Sequence, residues 1–188
     1  MRGCPKGESR VNNSERSIVF IGFMGVGKTT IGKLVAKKLN RQFIDIDEEI
    51  EKEYQMPVSQ IFNQIGEMAF RKREKSLISN LAEQEQKIIS VGGGAFLQEE
   101  IRQVCLTSCI VIYLNLSLEN WKNRLDLIIE SRPVLQGKSK EEMEDLFYTR
   151  QAIYSQHHLK IETDNKAPSE VADEIIDTLV TNFGVKKR

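Results

Sequence analysis

The chain carries no net charge, since 27 acidic residues balance 27 basic ones over 188 positions. That balance removes the basic footprint expected of a nucleic-acid binder or of a protein lying on an acidic membrane, and favours a small-molecule partner. No apolar run approaches the ~20 residues of a membrane span, and no signal-peptide core follows Met1. Cysteine is scarce. Cys4, Cys105 and Cys109 are an odd count without metal-ligand spacing, and the latter two lie in an apolar region as small core residues. This usage suits a reducing cytoplasm. His157 and His158 are adjacent at a helix end, with no carboxylate or cysteine spaced for ligation, and are expected to cap that helix. Trp121, the single tryptophan, is expected in the core. No repeat or low-complexity segment is visible. A chain of this length and 40% hydrophobic content is most simply one domain with a full core.

What is present is concentrated in one stretch, Gly22-Phe23-Met24-Gly25-Val26-Gly27-Lys28-Thr29-Thr30. It fits G-x-x-x-x-G-K-[ST], a loop whose backbone N–H groups surround phosphates. Lys28 can reach the outer phosphates, and the Thr29 hydroxyl can ligate a phosphate-bound magnesium. Context supports the match. Ser17 to Ile21 reads as a buried parallel strand, and Ile31, Leu34, Val35 and Leu39 recur afterwards at helical spacing. Strand, glycine loop and helix arrive in the order a triphosphate site requires.

Residues 1–16 are polar and aperiodic and are expected to be a disordered tail. A single domain is expected over 17–184, and 185–188 read as a second, solvated tail. Strands are expected at 17–21, 42–45, 88–91, 109–114 and 159–162. Helices are expected around 48–54, near 61, from Gly66 onward, and over 98–106, 118–127, 141–154 and 169–183. Alternating strands and helices, the first strand feeding a phosphate loop, imply an α/β three-layer sandwich on a parallel sheet.

Some chemistry-bearing residues follow these strands, and others lie on the helices and in one loop. Asp45 and Asp47 follow the second strand two apart, a spacing that puts both carboxylates on one side of an extended chain. One can hold magnesium through water, and the other can accept a hydroxyl proton. Asp45 can alternatively cap the next helix with Glu48. Arg71 and Glu74 lie one helical turn apart, with Glu74 on the apolar stripe; they are either a buried pair or an ordinary surface pair. Arg150 shares a face with Met143, Leu146, Phe147 and Tyr154. Two inward guanidinium groups suit a carboxylate substrate. Gly92-Gly93-Gly94 directly after a strand is either backbone approached by a ligand or a tight corner. Arg132-Pro133 sits in a loop read over 131–140, where an arginine can stabilise phosphoryl charge or simply be solvated.

Together these residues resemble the shikimate kinases, a family of P-loop small-molecule kinases related to nucleoside monophosphate kinases. The likeness runs from Ser17 to about Phe183 and rests on five ordered motifs: the glycine loop, Asp-x-Asp, Gly-Glu-x-x-Phe-Arg-x-x-Glu, Gly-Gly-Gly and Arg-Pro-x-Leu. The resemblance implies the P-loop NTPase fold with five parallel strands in the order 2-3-1-4-5. It also implies transfer of the ATP γ-phosphate to the 3-hydroxyl of shikimate, on the route to chorismate and the aromatic amino acids. By the same resemblance, Gly25, Val26, Gly27, Lys28, Thr29 and Thr30 hold ATP, with Arg124, Lys166 and Pro168 near the adenine. Thr29 and Asp45 hold one Mg²⁺. Asp47 binds the acceptor hydroxyl as the candidate base. Arg71 and Arg150 clamp the carboxylate, Glu74 orients Arg71, and Gly92, Gly93 and Gly94 line the ring. Arg132 is the lid arginine, 46–84 the substrate-binding helices and about 127–140 the lid. Two departures stand out: Val134 where the family usually has leucine, and Ala152 where many members have proline after Arg150. A cytoplasmic monomer is expected, without nucleic-acid or membrane partners. The competing expectations are a related kinase for another hydroxylated acceptor, such as gluconate, and a nucleotide-binding module that has lost catalysis.

Overall fold

The computed structural model describes residues 13–125, Leu135 and 137–187. Five short strands are formed by the apolar, β-branched runs: β1 (Ile18–Ile21), β2 (Gln42–Asp45), β3 (Lys87–Ser90), β4 (Ile110–Asn115) and β5 (Leu159–Glu162). They pair in parallel in the order β2-β3-β1-β4-β5, as the resemblance implies. β1 is central and fully buried, as is most of β4, which is why both read as continuous hydrophobic stretches rather than alternating ones.

The helices of the described residues are α1 (Lys28–Leu39), α2 (Ile46–Tyr54), α3 (Val58–Gln64), α4 (Glu67–Ala82), α5 (Glu99–Ser108), α6 (Leu118–Lys122), α7 (Lys140–Tyr154) and α8 (Pro168–Phe183), with a 3₁₀ turn over Ala95–Leu97. Local chemistry sets their ends. α1 stops at Asn40 in the left-handed conformation, whose N–H reaches back to the last turn. α7 opens on a reciprocal capping box between Ser139 and Glu142. α8 has Pro168 in its first turn, and Glu170 reaches back to the Ala167 N–H. The apolar stripes of α1 (Ile31, Val35, Leu39) and α8 (Val171, Ile175, Leu179) are buried in the same core as the sheet. Cys105, Cys109 and Trp121 are also buried there, as expected from the sequence.

Several boundaries differ from the sequence reading. Residues 13–16, placed in the tail, are docked: Arg16 bridges to Glu85, and the Arg41 guanidinium donates to the Ser14 and Arg16 carbonyls at 2.6 and 2.9 Å. Val185, also placed in a tail, is buried against the end of α8. α6 is described only through Lys122 and a following turn. The expected continuation to residue 127 and most of the expected lid lie outside the described residues. His157 donates from Nδ1 to the Tyr154 carbonyl at 2.8 Å and so does cap α7. His158 does not. Its Nδ1 accepts from the Val111 N–H, tying the chain to β4 ahead of β5.

Candidate active site

The site lies beyond the carboxyl ends of the strands, where parallel sheets present their loops. Gly27 caps α1 with φ 100°, so the phosphate loop turns directly into the helix N-terminus. Gly25, Gly27, Lys28, Thr29 and Thr30 line a cavity of about 520 Å³ together with Asp45, Asp47, Gly92 and Gly93. The Lys28 ammonium donates to the Gly22 and Phe23 carbonyls at 2.9 and 3.0 Å, so it is held at the rim of its own loop. Val26 is buried and faces a neighbouring cavity of about 300 Å³, shared with Gly25, Arg124, Lys166 and Pro168. The structure therefore brings together every nucleotide-side residue singled out in the sequence except Arg132, which lies outside the described residues.

Asp45 and Asp47 reach the cavity by a different geometry from that expected. The chain is not extended across them. Asp45 ends β2 and is the N-cap of α2, accepting from the Asp47 and Glu48 N–H groups at 3.1 and 3.4 Å, whereas Asp47 is already in the first helical turn. Capping does not exhaust Asp45: its second oxygen accepts from the Thr29 hydroxyl at 2.7 Å. Thr29 and Asp45 thus form a two-oxygen set, hard ligands suited to a magnesium ion that keeps phosphate oxygens and waters as its other ligands. Among the described residues no group of three or more His, Cys, Asp or Glu forms a complete metal cage.

On the other side of Asp47 a smaller pocket is lined by Phe62, Phe70, Arg71, Glu74, Gly92, Gly93, Gly94 and Arg150. Glu74 is fully buried. Its Oε2 accepts from Arg71 at 2.8 Å and from the Gln98 amide at 2.9 Å, and its Oε1 has no partner. Burial raises its carboxyl to about 7; Arg71 works against that shift, and nearby Asp47 adds to it. Burial pulls the Arg71 guanidinium down, but Glu74 and Glu67 outweigh it and the net shift is upward. Arg150 is buried, lowered chiefly by desolvation, and its Nη1 is 3.4 Å from the Gly93 carbonyl. α7 runs unbroken through Ala152, so the missing proline does not divert Arg150 from the pocket.

The three glycines permit this crowding. A Cβ on Gly92 would stand 2.9 Å from an Asp47 carboxylate oxygen, and one on Gly94 would stand 2.8 Å from Arg71 Nη2. Asp47 and Arg71 pass this close only because the backbone there is bare.

Comparison with known proteins gives the family and the fold. The family model for shikimate kinase matches residues 24–180. The chain belongs to the shikimate kinase family. It is 58% identical to the shikimate kinase of Oceanobacillus iheyensis over 165 residues, 88% of this chain and 90% of that protein. It is also 58% identical to that of Bacillus subtilis over 166 residues, covering 88% and 89%. The solved shikimate kinase from Acinetobacter baumannii in complex with shikimate superposes with TM-score 0.84 at 32% identity, over 90% of this chain and 96% of that one.

Within this member of the shikimate kinase family, four supporting residues escaped the sequence reading. The Trp121 indole, assigned only to the core, donates to the Met24 carbonyl of the phosphate loop at 3.0 Å. The Tyr154 hydroxyl donates to the Gly93 carbonyl that Arg150 also faces. Gln98 braces Glu74, and Glu51 accepts from the Val58 N–H at 2.9 Å, starting α3. Trp121 and Tyr154 carried a signal: a buried aromatic with a polar end needs a partner for it. Gln98 and Glu51 carried none, because their partners are set by tertiary packing.

Proposed function

We propose that the chain transfers the γ-phosphate of ATP to the 3-hydroxyl of shikimate, with the donor in the loop cavity and the acceptor in the pocket beside it. The observation that carries this reading is the place of Asp47, which lines both cavities at their junction. Asp47 takes the hydroxyl proton as the oxygen attacks. Its position in the first turn of α2 sets its carboxylate at that junction as the acceptor of the proton. Arg71 and Arg150 hold the carboxylate of shikimate, Arg71 aimed by Glu74. The bare Gly92–Gly94 backbone lets the ring lie between them. Lys28 exchanges its loop carbonyls for the transferring phosphate, and Arg124, Lys166 and Pro168 border the nucleoside. Thr29 and Asp45 would hold Mg²⁺. That ion would neutralise charge on the β- and γ-phosphates.

Arg132 is assigned to the same phosphates on the family's motif alone. A monomer is the expected acting species, since the donor- and acceptor-side groups among the described residues line adjoining cavities. The two buried free thiols support a reducing, cytoplasmic setting. No helix among the described residues is long and apolar enough to cross a membrane.

ADP release in a coupled assay with Mg²⁺ tests the reading: release should require shikimate. Release with gluconate but not shikimate would transfer the assignment to a related acceptor. ATP binding without turnover on either would leave a silent nucleotide-binding module.

A further inference from the structure

The acceptor pocket opens outward into a groove walled by Glu67, Arg71, Gly94, Leu97, Gln98, Lys138 and Arg150. Arg71, Gly94 and Arg150 are common to both, so the groove is the outer mouth of that pocket. Its charged groups are three cations and one carboxylate. They are not equivalent. Arg71 is paired with two glutamates, Glu74 at 2.8 Å and Glu67 at 3.2 Å, so most of its charge is matched before any ligand arrives. Arg150 faces a neutral carbonyl and has a buried Nε with no partner. Lys138 lines the same groove from the segment leading into α7, its backbone N–H bonded to the Leu135 carbonyl at 3.3 Å.

We infer that Lys138 is a further acceptor-binding residue, a third cation that meets the carboxylate of the incoming substrate at the pocket mouth and passes it to Arg71 and Arg150. The inference rests on the proposed reaction with a carboxylate acceptor. A compact ammonium on a flexible stem suits capture of an anion from solvent, whereas the planar guanidinium groups behind it suit final orientation. A charge at a concave mouth also raises the local concentration of an oppositely charged substrate, an effect that salt screens.

Steady-state kinetics of Lys138→Gln and Lys138→Arg, with shikimate and with its methyl ester, test this. Lys138→Gln should lower kcat/KM for shikimate roughly two- to fivefold, the size of one solvent-facing charge contact. The loss should appear in KM and leave kcat and the KM for ATP unchanged. It should fade at high salt, and Lys138→Arg should restore most of it. The ester, lacking the charge, should show no difference between wild type and Lys138→Gln. An unchanged kcat/KM in Lys138→Gln, or an equal loss for acid and ester, overturns the inference while wild-type turnover of shikimate leaves the proposed function standing. A wild type inactive on shikimate overturns both.

Discussion

Asp47 and Glu74 are two carboxylates that both approach the bare face of Gly92, with different proposed duties. Asp47, in the first turn of α2, is the proposed acceptor of the substrate proton. Asp47→Asn keeps the shape and removes the base, so kcat should fall about 10²–10⁴-fold while ATP binding, followed by titration calorimetry, is preserved. Wild-type turnover in that variant would exclude Asp47 as the base. Glu74 is buried, and its carboxyl is pushed up to about 7. A raised acid contributes stability that is fully present below its ordinary value near 4.5 and is lost as pH rises through about 7. Its service to Arg71 runs the other way, because only the charged form anchors the guanidinium. The apparent affinity for shikimate should therefore improve as pH rises through about 7, while thermal stability declines over the same interval. Glu74→Gln should flatten both profiles. A persistent inflexion in the shikimate KM profile of that variant would assign it to another group.

At the scale of elements, the phosphate loop is fastened to the helices behind it through an aromatic cluster. Phe23 packs edge-on against Trp121 and Phe147, both with centroids at 5.1 Å, and its face lies 5.6 Å from the Arg150 guanidinium. The Trp121–Met24 hydrogen bond fixes the loop from the side of α6. Trp121→Phe keeps the ring and removes the donor, so it should raise the KM for ATP roughly two- to tenfold, the worth of about one buried hydrogen bond, with a smaller effect on shikimate. Equal effects on both substrates would show that the cluster serves the core rather than the loop. This cluster also marks where sequence reading ran out. Periodicity placed Arg150 on an inward face and Glu74 on an apolar stripe, because a misplaced charge on a 3.6-residue repeat is visible one element at a time. It misjudged the Asp45–Asp47 geometry, because a strand ending at Asp45 and a helix beginning at Ile46 share no single period. Contacts such as Gln98 to Glu74, 24 positions apart, have no local pattern to read.

Across the whole molecule, the strand order places the two half-sites on either side of β1. The chain leaves β1 through the phosphate loop and enters β2, on the far side of β3, so β2 and β3 deliver Asp45, Asp47 and the three glycines to one flank. β4 and β5 deliver Arg124 and Lys166 to the other, and the loop sits at the switch between them. The motifs made this arrangement legible from sequence, since the glycine loop, Asp-x-Asp and Gly-Gly-Gly each follow an identifiable strand. The opposite end of the sheet carried no motif, and its anchoring was missed. There Arg16, assigned to a tail, donates to the carbonyls of Thr107, Ser108 and Cys109 at 2.9, 3.2 and 2.6 Å, closing the end of α5 just before β4. Three otherwise orphaned carbonyls at a helix C-terminus are satisfied by one guanidinium, which also complements the helix dipole. Arg16→Ala should therefore cost about 2 kcal/mol, within the range for hydrogen bonds to a charged group. For a chain of this size that corresponds to a fall in Tm of roughly 4–8 °C. Because these contacts lie at the amino ends of the strands, kcat and both KM values measured well below the transition should match wild type. Loss of activity without loss of Tm would mean that the docked segment reaches the active site, and an unchanged Tm would mean that residues 13–16 add nothing to the fold.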